Sequence, residues 1–158
     1  MYKIIIAIVF VCNLFSQLKI GDDAPTFFSK TLENKYFFLS DYLEGNSSPI
    51  VLSFFATWCV PCAKEIPELT KMSNEFDDDF QFLLVDVNEK RDKVKEHVRK
   101  KNISLQVVLD KYGKTFEKFG GKTLPLLVVI NKKGKITYHH TGYKKGDEIK
   151  LKEHLNTL

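Results

Sequence analysis

A six-residue run that is almost wholly apolar, Ile50-Val51-Leu52-Ser53-Phe54-Phe55, is followed at once by Cys59-Val60-Pro61-Cys62, and a helical pattern begins behind it. Such a run without polar alternation marks a strand covered on both faces, so the chain has to build a sheet with layers above and below it. Behind the cysteines, Ile66, Leu69, Met72 and Phe76 recur at helical spacing, with Pro67 among them. The apolar period continues past that proline, which predicts a kinked rather than an interrupted helix. The cysteines therefore fall on a strand-to-helix junction. The first N–H groups of a helix are unpaired and carry partial positive charge, which favours a thiolate at Cys59. Cys62, one turn on, can close a disulfide with it and open again.

The rest of the chain repeats the same alternation. Lys19 to Pro25 reads as an irregular lead-in punctuated by Gly21 and Pro25. Phe27–Lys30 and Lys35–Leu39 suggest two strands of a hairpin turning at Glu33-Asn34, and Ser40-Asp41 to Gly45 a single capped helical turn. Phe80–Val87 is a second buried strand, Asp92–Lys101 a helix with Val94 and Val98 inward, and Leu105–Leu109 a short strand. Tyr112–Phe119 predicts a short helix closed by Gly120-Gly121. Leu126–Ile130 and Lys135–His140 flank the turn Asn131-Lys132-Lys133-Gly134 as a hairpin. Asp147–Leu158 predicts a terminal amphipathic helix with Ile149, Leu151 and Leu155 inward. Strands alternating with helices imply an α/β domain, a central mixed β-sheet with helices on both faces.

The amino terminus has another logic. Met1-Tyr2-Lys3 and the apolar run Ile4 to Phe15 have the layout of a secretory leader, too short for a comfortable membrane span. Residues 1–16 are read as a signal peptide cleaved after Ser16, with an uncleaved anchor as the alternative. Lipidation at Cys12 is disfavoured by the bulk of Val11 and the shortness of the apolar run. Removal of the leader takes Cys12 away, and of three cysteines only Cys59 and Cys62 remain. Export places that pair extracytoplasmically, in the periplasm or cell envelope, where its state is set by dedicated redox partners. A membrane tether follows only if the leader stays. Residues 20–158 then form one domain.

Lysine and arginine number 24 against 20 acids, without the arginine-aromatic interleaving of a nucleic-acid surface. The basic stretch Lys90–Lys101 reads as a solvated helix face, with steering of an acidic partner protein as the alternative.

Two other uses of a Cys-x-x-Cys weigh against redox work. Zinc needs two further ligands, and His139 and His140, neighbours in a strand, point to opposite faces. A static disulfide over so short a loop would stabilise little by the loop-entropy argument. Reversible thiol chemistry, without metal or bound cofactor, is the stronger reading.

The order and spacing of several segments resemble the TlpA/ResA-like branch of the thioredoxin superfamily. They are Gly21-Asp22-x-Ala24-Pro25-x-Phe27, Leu39-Ser40-Asp41, Phe55-Ala56-Thr57-Trp58-Cys59-Val60-Pro61-Cys62, Glu65 and Pro67, and Gly121-Lys122-Thr123-Leu124-Pro125 leading into Leu126–Ile136. The resemblance covers everything after the leader. It implies a thioredoxin fold with an N-terminal β-hairpin extension and an inserted helix-strand unit near Asp92–Leu109. It also implies a cis Leu124-Pro125 peptide against the disulfide, beside which an extended substrate segment can pair strand to strand. Thioredoxin has a buried aspartate six residues before its first cysteine, and here that position is Ser53. Proton handling then passes to Glu65, one helical turn beyond Cys62, if it is not simply a surface carboxylate.

The function implied is an exported thiol-disulfide oxidoreductase, with Cys59 as nucleophile and Cys62 as resolving thiol. Protein disulfides are the expected substrates and a membrane thiol-disulfide protein the electron donor; cytochrome c biogenesis is among the roles that fit. Pro61 between the cysteines resembles reducing members of the superfamily. Trp58 and Val60 would form the contact surface with Pro61, Leu124 and Pro125. Two alternatives stand beside this. One is a non-catalytic thioredoxin-like binding module for exported polypeptides, which has no need of both cysteines. The other is a peroxiredoxin-type peroxidase, which wants threonine or serine three residues before its cysteine and proline seven before, where this chain has Ala56 and Leu52.

Overall fold

The computed structural model describes residues 18–45 and 48–158. The segment read as a leader, with Cys12, lies outside the described residues. In chain order the elements are strands β1 (Phe28–Thr31) and β2 (Tyr36–Phe38), helix α1 (Leu39–Gly45), β3 (Ile50–Phe55), α2 (Val60–Phe76), β4 (Gln81–Val87), α3 (Arg91–Lys101), β5 (Gln106–Asp110), α4 (Lys114–Lys118), β6 (Leu126–Ile130), β7 (Ile136–Thr141) and α5 (Asp147–Leu155). One seven-stranded mixed sheet runs β2-β1-β5-β4-β3-β6-β7. β3 lies at its heart, parallel to β4 and antiparallel to β6, and all six of its residues are buried.

Alternation along β3 divides the core in two. Val51 and Phe55 face one layer with Ile66, Leu69, Cys59 and Cys62, while Ile50, Leu52 and Phe54 face the other with Phe27, Leu39 and Phe119. This is the two-sided cover that an unbroken apolar strand demands. α2 continues through Pro67 for 17 residues, as the apolar period requires. The first hairpin turns at Asn34, whose φ is +63°, and is no loose appendage: β1 pairs antiparallel with β5, so the helix-strand unit α3–β5 knits it to the central sheet.

Three expectations are corrected. Ile149 is 58 % exposed while Leu151 and Leu155 are buried, because α5 packs through residues four apart and Ile149 sits two positions off that stripe. That helix also ends at Leu155, short of the chain end. α4 begins only at Lys114, because Gly113 adopts a φ of +66°, outside the helical region, and leaves Tyr112 on the surface.

Candidate active site

The β3–α2 junction is built as its residues dictate. Cys59 is the N-cap of α2, with Val60 and Pro61 in the first turn, where a proline's missing N–H costs nothing. Its Sγ accepts the Cys62 backbone N–H at 3.2 Å. The two cysteines form a disulfide with Cα atoms 5.3 Å apart. An N–H aimed at Sγ from a helix start is the arrangement that holds a thiolate once the bond is opened.

Burial distinguishes the two sulfurs. Both cysteines are buried, Cys62 more deeply, yet Cys59 is flanked by Trp58 and Val60, each 68 % exposed, and Pro61 is exposed as well. Trp58 is therefore a surface group, not a core tryptophan. The exposed apolar side chains of Trp58 and Val60 thus lie on either side of Cys59 in the chain.

Leu124-Pro125 is a cis peptide. Leu124 packs against the cluster that holds both cysteines, and Pro125 is buried. The Pro125 carbonyl is occupied, accepting the Gly142 N–H at 2.7 Å.

Glu65 is not a surface carboxylate: it is 4 % exposed on the inner face of α2, one turn past Cys62. Ser53, whose β3 position faces α2, donates its hydroxyl to Glu65 Oε2 at 2.7 Å. Burial pushes the Glu65 pKa up to about 7, the Ser53 hydrogen bond pulls it back, and the Asp147 charge adds to the rise. The departure from thioredoxin at Ser53 and the presence of Glu65 are thus one feature: the strand position gives up its acid and orients the acid on the helix.

A second acidic pair escaped the sequence reading. Asp86, paired in register with Phe55, is 1 % exposed, and neither of its carboxylate oxygens meets a donor. Its neighbour is another carboxyl, Glu89, and a side-chain hydrogen bond between the two favours a proton on Asp86, while the nearby Glu89 backbone N–H and Lys93 favour its charge. Burial first, then the Glu89 carboxylate, push the Asp86 pKa up to about 8. Burial opposes the charge of Glu89 too, but Lys93 and Thr57 outweigh it and hold that pKa below the ordinary value. Glu89 takes the Thr57 N–H at 2.6 Å and the Thr57 hydroxyl at 2.8 Å, two residues before Cys59. The lone acid in the apolar run Phe80–Val87 was the signal available.

His139 and His140 do face opposite sides, with Nε2 at 2.9 Å from the Phe119 carbonyl and 3.2 Å from Asp147 respectively. Among the described residues no group of three or more His, Cys, Asp and Glu could hold a metal ion.

The profile of the AhpC/TSA family matches residues 20–139. The chain is 31 % identical over 137 residues to thiol-disulfide oxidoreductase ResA of Halalkalibacterium halodurans, covering 84 % of this chain and 76 % of that one. With the protein of the same name from Bacillus thuringiensis subsp. konkukian it shares 28 % identity, covering 90 % and 80 %. Among solved structures it is similar to a Chlorobium tepidum protein assigned as thiol:disulfide interchange protein DsbE, with a TM-score of 0.82, 26 % identity, and 89 % and 97 % of the two chains covered. The exposed lipoprotein thioredoxin Etrx1 of Streptococcus pneumoniae gives a TM-score of 0.71 at 26 % identity, covering 85 % and 100 %.

Proposed function

Because this chain belongs to the AhpC/TSA family and is a thiol-disulfide oxidoreductase of thioredoxin-like fold, we propose that it works outside the cytoplasm as a reductant of protein disulfides. The observation that carries the reading is the Cys59-Cys62 disulfide capping α2, with exposed Trp58 and Val60 on either side of Cys59. In the reduced protein the Cys59 thiolate attacks one sulfur of the partner's disulfide. That S–S bond breaks, a mixed disulfide forms, and the partner's other sulfur leaves as thiolate. Cys62 then gives up its proton and attacks Cys59 Sγ. The second partner sulfur departs, so two electrons have passed to the partner and Cys59-Cys62 is oxidised. A membrane thiol-disulfide protein restores the dithiol.

Glu65 suits the proton step. With a pKa near 7 it exchanges protons at neutral pH, and it stands one turn from Cys62. Trp58, Val60 and Pro61 offer the partner its apolar contact, and the backbone at Leu124, before Pro125, offers strand pairing. The extracytoplasmic setting is supported by the leader-like residues 1–16 and by likeness to an exposed lipoprotein thioredoxin.

A Cys62→Ser variant tests the cycle. It should retain partner proteins as mixed disulfides through Cys59 in the native envelope, releasing them with dithiothreitol. Capture of no protein would favour the binding module instead. Peroxide should be consumed only at the rate of a free thiol, since Ala56 and Leu52 stand where peroxidase chemistry needs a hydroxyl and a proline; turnover at enzymatic rates would reverse that assignment.

A further inference from the structure

The β1–β2 hairpin carries a sheet face that no helix among the described residues covers. Phe28 and Phe38 are cross-strand partners with ring centroids 5.7 Å apart, and Tyr36 lies 6.0 Å from Phe38, all three exposed. With Tyr112 from the β5–α4 loop they line a groove of about 1090 Å³. Of the exposed aromatic side chains among the described residues, only Trp58 lies elsewhere, beside Cys59. An exposed aromatic cluster of this kind marks an interaction surface.

Charge decides what fits. Six cations line the groove, Lys30, Lys90, Arg91, Lys111, Lys114 and Lys118, of which Lys114 is paired with Glu117 and Arg91 donates to the Leu32 carbonyl, against two carboxylates, Glu89 and Asp110. Both carboxylates are engaged within the fold, Glu89 by Thr57 and Lys93, Asp110 by the Phe116 N–H at 2.8 Å. Lys30 and Lys111 stand over the rings of Tyr36 and Tyr112, at 5.2 and 5.0 Å from their centroids, so cation and aromatic face are offered together. One end of the groove lies toward the cysteines: Glu89 lines it and binds Thr57, which precedes Cys59 by two residues.

We propose that this groove docks an acidic segment of the polypeptide whose disulfide is reduced, placing that disulfide at Cys59. The proposal rests on the reductase reading and adds its substrate class. Two rows of opposite charge steer encounter, and the aromatic floor holds apolar side chains between the acids. Lys90 thereby gains a use beyond that of a solvated helix face.

The test uses the reduced full chain and two synthetic peptides with the same internal disulfide, one with an Asp/Glu/Phe tail and one with a Lys/Phe tail. The wild type should reduce the acidic peptide with about tenfold higher kcat/KM, a preference that fades as salt is raised. The Lys30→Glu/Lys111→Glu/Lys118→Glu variant should prefer the basic peptide, and such a reversal also shows that it has folded. Cysteine-free tails, followed by fluorescence anisotropy, should bind in the same order. Equal kcat/KM for both tails, an unchanged preference in the variant, or anisotropy that does not distinguish the tails would overturn the docking surface. Reduction of neither disulfide, with the acidic tail still selectively bound, would instead sink the direction of electron flow.

Discussion

Ser53 Oγ lies 2.7 Å from Glu65 Oε2, joining the central strand to the cysteine-bearing helix through a carboxyl that burial has brought near neutrality. If Glu65 takes the Cys62 proton, as proposed, it does so as the carboxylate, which prevails above about pH 7. The rate of disulfide reduction should therefore rise through that pH. Glu65→Gln should remove the inflection and slow the reaction by about 100-fold. Ser53→Ala, which deletes the bond that lowers this pKa, should move the inflection to higher pH. Stopped-flow reduction of a peptide disulfide across pH 5 to 9 reads all three, and an unshifted profile in both variants would exclude Glu65 from the proton step.

Asp86 makes the opposite kind of statement, about stability. Its folded pKa of about 8 lies above the ordinary 3.8, so the folded chain holds a proton that the unfolded chain has released. Stability then falls as pH rises from near 4 to near 8 and levels off beyond. Asp86→Asn removes this titration. The variant should gain up to about 5 kcal/mol over the parent at pH 8, as the rise from 3.8 to about 8 implies, and nothing at pH 4. Urea unfolding at both pH values checks it; a gain that does not depend on pH would mean that Asp86 is ionised in the fold.

The register of α5 gives a sharp contrast between two apolar residues. Leu151 is 3 % exposed and Ile149 58 %. Leu151→Ala should destabilise by about 2–5 kcal/mol, whereas Ile149→Ala should stay within about 0.5 kcal/mol. Equal losses in denaturant midpoint would contradict the packing of this helix.

Gly121 has a steric reason rather than a conformational one. A Cβ there would lie 2.3 Å from the ring of Phe116, which packs on Phe54 with centroids 5.7 Å apart. Gly121→Ala must displace that ring and should cost about 1–3 kcal/mol. Gly21→Ala, with nothing within 4 Å but a φ of +96°, should instead lose only the strain of its backbone. Thermal melting of the two variants with and without a second Phe116→Leu change separates the causes: the smaller side chain should relieve only the Gly121 variant.

What the chain reveals by itself is whatever depends on neighbours in sequence. Strand and helix order, the cysteine pair on a helix tip and the turns at Asn34 and Gly134 follow from apolar period, turn residues and the polarity of a helix start. The cis state of Leu124-Pro125 was legible only through likeness of motif. Tertiary structure alone decided which side chains meet. Ser53 and Glu65 are 12 residues apart, Thr57 and Glu89 are 32 apart, and neither pair has a local signature. Phe28, Tyr36 and Phe38 read in sequence as parts of a hairpin, with no sign of which face is covered; they lie open because β2 is the edge of the sheet and no helix among the described residues reaches that face. Burial and proton affinity belong to an environment assembled from distant segments, which is why the acids at Glu65 and Asp86 acquire their properties only in the folded chain.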